Sequence, residues 1–136
     1  MRFAFFLLLA LSFSVTKMSA QNDTIKYSAL NSATVEKGNY MHYVAKSGKI
    51  YSVGDTLYLG TPTTPTFLYV RQWIQLNGVQ PLPNNYAGSR CVIKKIMVTG
   101  NKRAGYTVQL QTTGGSVMDN YFINLEAALK IGEVQQ

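Results

Sequence analysis

The sequence predicts a mainly β protein. We expect a small antiparallel, partly open barrel, SH3-like in preference to OB-like, with one short C-terminal helix. Three observations carry that expectation. Short runs of β-branched and aromatic residues recur at hairpin spacing after Tyr51. Glycine-containing turns separate them, at Gly48, Gly54, Gly78, Gly105 and Gly114-Gly115. Only Leu125 to Ile131 changes to helix formers at helical spacing.

The chain opens on an export signal. Arg2 is a positive n-region, Phe3 to Val15 is an apolar run, and Thr16 to Ala20 is a polar, small-residue exit. About 13 apolar residues suit a leader and are too few to span a bilayer. The expected cut follows Ala20, and no later stretch is apolar enough to act as a transmembrane stop. Residues 21–50 read as an N-terminal arm, and 51–136 as the barrel domain. Gln21 to Gly38 is polar and without period, a linker with room for a short strand at Thr24 to Tyr27. Asn39 to Val44 is a possible first strand, with Tyr40, His42 and Val44 on one side and Met41 and Tyr43 on the other. Lys46-Ser47-Gly48-Lys49 is a turn.

Val53-Gly54-Asp55-Thr56 is a tight turn into Leu57-Tyr58-Leu59. Gly54 supplies a positive φ, and the Asp55 carboxylate is placed to bond backbone N–H groups two residues on. Thr61 to Thr66, with Pro62 and Pro65, is an extended loop or edge. Phe67 to Leu76 is the longest strand. Strict alternation puts Leu68, Val70, Ile74 and Leu76 on the core side and Phe67, Tyr69, Arg71 and Trp73 on the other. Pro81 to Ser89 reads as a loop. Cys91 to Val98 is a strand with a defect: Ile93 and Ile96 are three apart. A β-bulge at Lys94-Lys95 turns both isoleucines inward. Thr99 to Gly105 is a hairpin loop, and Tyr106, Val108 and Leu110 then alternate inward. A short strand follows at Asn120 to Ile123. Asn124 is a natural N-cap for the helix, and Gly132 its stop. Two turns are too few to stand alone, so the helix must dock on the sheet.

The chain has 136 residues and a formal net charge of +7. Loss of the leader leaves eleven basic residues against six acids. The balance suits anionic surfaces such as phosphate-bearing envelope polymers, and equally keeps a small domain soluble. Cys91 is the only cysteine. It allows no internal disulfide, and its strand context makes it a buried, inert thiol.

The residue inventory excludes more chemistry than it supports. One histidine, one cysteine and scattered carboxylates do not make a metal site, and no cofactor is expected. Any Ser–His or Cys–His nucleophile must use His42, with an acid such as Asp55 or Asp119, and no nucleophile-elbow pattern accompanies it. Lys94, Lys95, Lys102 and Arg103 beside aromatic residues on a small barrel would suit a nucleic acid, but export argues against that partner. What remains is the outer side of the long strand. Phe67, Tyr69, Arg71 and Trp73 form an aromatic strip with one arginine, the composition of a recognition surface; the alternative is that the N-terminal arm or the terminal helix covers this side, or that it is the true core side of the strand.

Tyr51-Ser-Val-Gly-Asp-Thr-Leu-Tyr-Leu-Gly60, Tyr86-Ala-Gly-Ser-Arg-Cys-Val-Ile-Lys-Lys-Ile96 and Tyr121-Phe-Ile-Asn-Leu-Glu-Ala-Ala-Leu-Lys-Ile-Gly-Glu133 follow one another in this order. The arrangement resembles small exported hypothetical proteins of Bacteroidota-type bacteria. In these a Val-Gly-Asp turn opens a β domain and a terminal strand runs into a short helix. The resemblance spans Tyr51 to Val134 and implies export without an assigned activity. The expectation is therefore an exported, non-enzymatic binding module. It would meet a protein, peptide or glycan of the cell envelope, in the periplasm or outside the cell. The alternatives are a small hydrolase built on His42 and a structural subunit of an envelope assembly.

Overall fold

The computed structural model describes residues 23–33, 35–114 and 120–135. The expected leader at Met1 to Ala20, Gly115 and Asp119 lie outside the described residues. The elements in chain order are β1 (Thr24–Lys26), a 3-10 turn (Tyr27–Asn31), β2 (Gly38–Tyr40), β3 (His42–Val44), β4 (Ile50–Ser52), β5 (Thr56–Leu59), β6 (Thr66–Ile74) and β7 (Gly78–Pro83). A second 3-10 turn (Asn84–Tyr86) leads to β8 (Arg90–Asn101), β9 (Gly105–Thr113), β10 (Asn120–Asn124), α1 (Leu125–Lys130) and β11 (Val134–Gln135).

The main sheet runs β11-β5-β8-β9-β10-β6-β7, with β2 also on β8, and β1-β3-β4 form a small second sheet. The main sheet is antiparallel and curls into a half-barrel, as the alternating apolar pattern requires. Its core is one cluster that includes Leu57, Leu59, Phe67, Val70, Leu82, Ile93, Ile96, Leu110 and Ile123. The segment that reads as a loose arm belongs to this core. Ile25, Leu30, Tyr40, Tyr43 and Ala45 are all buried in it. They pack because β1 joins β3 and β2 joins β8, pairings too distant in sequence for local pattern to show.

Two strands carry bulges. The β8–β9 register slips between Ile93 and Lys95, leaving Lys94 as the extra residue. Ile93 and Ile96 both face the core and both lysines face solvent, the arrangement expected from their spacing. The second bulge, in β6, corrects the sequence reading. Pairing with β7 slips between Thr66 and Arg71. Phe67 and Val70, three apart, both turn inward, while Leu68 and Tyr69 both turn outward.

A buried carboxylate fixes this second bulge. Glu133 is 1 % exposed and accepts from the N–H of Leu68 (2.5 Å) and of Tyr69 (2.8 Å). Glu133 precedes β11, at one end of the sheet, whereas β6 lies near the other. The curl thus brings the two ends together, and a side chain spans the seam where a ladder would close a full barrel. The helix end sets Glu133 in place. Gly132 takes φ 77°, its N–H bonds the Leu129 carbonyl, and the Glu133 N–H bonds that of Ala128, a Schellman closure. Gly60 meets this turn directly: a Cβ there would stand 1.8 Å from the Gly132 oxygen.

Other differences are local. Asn124 makes no side-chain capping bond, because β10 runs into α1 without a break. α1 packs against β6, β9, β10 and β11, the docking its two turns need. Asp55 accepts from the Ser52 N–H, three residues back (2.8 Å), not from groups ahead of it. The stretch Pro81 to Pro83 continues a strand. β7 is the outer strand of the sheet, where a residue without an N–H loses no ladder bond. β6 ends at Ile74, so Leu76 falls in the turn. Among the described residues no helix is long and apolar enough to cross a membrane.

Candidate functional site

From Val70 onward β6 alternates strictly. Val70 is buried opposite Ile123, and Arg71 points outward opposite Phe122 of β10 and Pro81 of β7. Trp73 points outward opposite Val79. Trp73 is 52 % exposed and Tyr69 37 %, with Leu68 and Val79 beside them also exposed. Three of the four residues expected on the strip are therefore together on the outer side. Phe67 is not among them. It is 1 % exposed and packs in the core, because the β6 bulge reverses the alternation ahead of Val70. Leu68 takes its place outside.

The cross-strand row through Arg71 continues over the outer side as Phe122, Gln111 and Lys95. The Lys94 ammonium donates to the Asn120 side-chain oxygen (3.3 Å). The strip is thus the edge of a wider face that mixes aromatic rings with Arg71, Lys94 and Lys95. Such a surface can stack flat rings or apolar groups on Trp73 and Tyr69 while its cations hold anionic groups.

The residues of the alternative reading meet only in part. His42 and Ser52 are cross-strand partners, and His42 Nδ1 lies 2.7 Å from Ser52 Oγ. Asp55 contacts the Ser52 backbone and not the imidazole. The amides beside the pair are already bonded. Met41 and His42 donate to the Asp23 carbonyl, Val53 to that of Met41, and Gly54 to that of Ile93. Acyl transfer needs an orienting acid on the second imidazole nitrogen and free donors for an oxyanion. The contact is better explained by the register of β3 and β4, which places a hydroxyl opposite a ring.

Cys91 is 1 % exposed, and burial pushes its thiol up, with a hydrogen bond from Thr112 pulling weakly the other way. It is a core residue opposite Leu57. No group of three metal-ligating side chains occurs among the described residues.

A second polar cluster escaped sequence reading. Glu126 of α1 accepts from the Tyr43 hydroxyl (2.5 Å) and the Lys46 N–H (2.9 Å). Burial and this bond raise the Tyr43 phenol far above its ordinary value. The cluster borders an open hollow of about 550 Å³ lined by Tyr27, Lys46, Ser47, Glu126, Leu129 and Lys130. Its one carboxylate is engaged in tying the β3–β4 turn to α1, so the hollow has a structural cause. No spacing in the sequence joins residue 43 to residue 126. Comparison with protein-family models, curated proteins and solved structures finds no match to this chain.

Proposed function

We propose that the chain is an exported, non-enzymatic binding module that captures a protein, peptide or glycan of the cell envelope. Tyr69 and Trp73 are the aromatic platform and Arg71 the polar anchor. The observation that supports this reading is the exposure of Trp73 beside Arg71, on strands whose other side fills the core. A large aromatic ring held outside on a rigid sheet costs burial energy that the core does not recover, and such rings dominate recognition surfaces. The leader supplies the address.

The test is a pull-down from envelope extract with the exported protein as bait. Trp73→Ala is expected to lower capture at least about tenfold, with the unfolding midpoint unchanged, since the ring is outside the core. Capture by Trp73→Ala equal to wild type would remove the reading. The His42–Ser52 contact supports one second reading, a small hydrolase with Ser52 as nucleophile. Under the binding reading His42→Ala leaves capture intact. An ester or peptide turnover that disappears in His42→Ala would reverse the order.

A further inference from the structure

Leu76 is the most exposed large apolar residue described, at 99 %, and it stands at the tip of the β6–β7 hairpin with φ 75°. The Asn77 N–H bonds the Ile74 carbonyl, so Leu76 occupies the third position of the turn, where a positive φ favours glycine or asparagine. A branched side chain is thus held in a strained backbone and projected into solvent, an outlier that the core does not use. Directly behind it Trp73 and Val79 face each other across the hairpin, both about half exposed. Leu76 stands between the exposed polar residues Gln75 and Asn77 as the one apolar side chain of the turn, with an aromatic ring at the hairpin's base.

Charge supplies the second observation. From Thr56 to Met118 the chain contains no aspartate or glutamate, yet carries Arg71, Arg90, Lys94, Lys95, Lys102 and Arg103. Arg71 stands about 7 Å behind Trp73, one side-chain repeat along the same face. Lys95 shares the cross-strand row of Arg71, and Lys94 reaches over to Asn120. Lys102 and Arg103 sit at the far end of the sheet, since the β8–β9 turn lies opposite to the β6–β7 turn.

We infer that the β6–β7 hairpin docks on an anionic lipid bilayer, with Leu76 below the headgroups, Trp73 and Val79 at the interface, and Arg71, Lys94 and Lys95 on the lipid phosphates. Tryptophan favours that interface, and each cation near an anionic leaflet adds to binding. The insertion is shallow, because the backbone groups of the turn must keep water. A strand from a protein partner fits this edge less well. Pro81 and Pro83 of β7 lack the N–H groups that strand addition requires. The inference shares the exposed face with the binding-module reading and adds a partner for its tip.

Trp73 is the only tryptophan, so its emission reports the tip directly. The exported protein is mixed with vesicles of phosphatidylcholine alone, or with about one-third phosphatidylglycerol. Anionic vesicles are expected to shift the emission to the blue and to sediment the protein, and salt is expected to weaken both effects. Leu76→Gly relieves the backbone, so its unfolding midpoint stays equal or rises, while vesicle partitioning falls about tenfold. Arg71→Gln reduces binding to anionic vesicles only.

No emission shift, equal binding to both vesicle types, or undiminished binding by Leu76→Gly would each overturn the inference. The two readings fail separately. Capture of an envelope protein or glycan through Trp73, in lipid-free extract and without vesicle binding, would keep the binding face and remove the bilayer.

Discussion

Tyr43 and Tyr51 face each other across β3 and β4, both buried, and their hydroxyls have opposite surroundings. The Tyr43 hydroxyl donates to Glu126. The Tyr51 hydroxyl has no hydrogen-bond partner among the described residues, and its ring lies under the Lys49 ammonium at 5.2 Å. Removing a bonded buried hydroxyl leaves its acceptor wanting, whereas removing an unbonded one relieves a desolvated group. Tyr43→Phe is expected to destabilise by about 1–2 kcal/mol. Tyr51→Phe is expected to be neutral or stabilising by up to about 1 kcal/mol. Urea unfolding of the two variants checks the contrast, and an equal loss in both would contradict it. Neither role is legible in the sequence. Two tyrosines eight residues apart look alike until a distant helix supplies a carboxylate to one of them.

The two bulges show how far element-level reading reaches. In β8 the defect was visible, since Ile93 and Ile96 are apolar and the residues between them are lysines. Only a bulge satisfies both. In β6 the residues between Phe67 and Val70 are Leu68 and Tyr69, themselves apolar, so strict alternation fits the composition equally well and is wrong. What selects the bulge is Glu133, whose carboxylate takes the two N–H groups the bulge frees from the ladder. Glu133→Gln keeps the shape but replaces one acceptor oxygen with a donor that faces an N–H. A loss of about 2–4 kcal/mol is expected, read by chemical unfolding. Hydrogen exchange should show the Leu68 and Tyr69 amides losing protection first. A variant as stable as wild type would mean that the bulge forms without its clamp. The outer strip followed the same logic. Period two places Tyr69, Arg71 and Trp73 correctly and misplaces Phe67, because the register against β7 slips by an odd number of residues between Thr66 and Arg71 and so reverses the face.

Burial raises the phenols of Tyr40, Tyr43 and Tyr51 and the thiol of Cys91, with Glu36 adding to the first and Glu126 to the next two. Each group is held protonated by the fold and titrates earlier in the unfolded chain. Their contribution is therefore complete below the unfolded values and is lost as pH climbs through the folded ones. Stability from these groups should be level through neutrality and fall above about pH 9–10. Phenolate absorbance should show a delayed group of tyrosines that ionises only with the loss of near-UV dichroism. Normal titration of all the tyrosines in the folded protein would refute this. The mainly β class, the turns, the terminal helix and the β8 bulge were decided by local chemistry: side-chain period, glycine φ and proline's missing donor act within a few residues. The leader reading rests on the same local evidence. The inclusion of Ile25, Leu30, Tyr40, Tyr43 and Ala45 in the core, the Glu133 seam, the Glu126 tie and the inward turn of Phe67 were decided by contacts between distant segments. Those pairings depend on which edges the curled sheet brings within hydrogen-bond reach, and a periodicity that spans one strand carries no record of them.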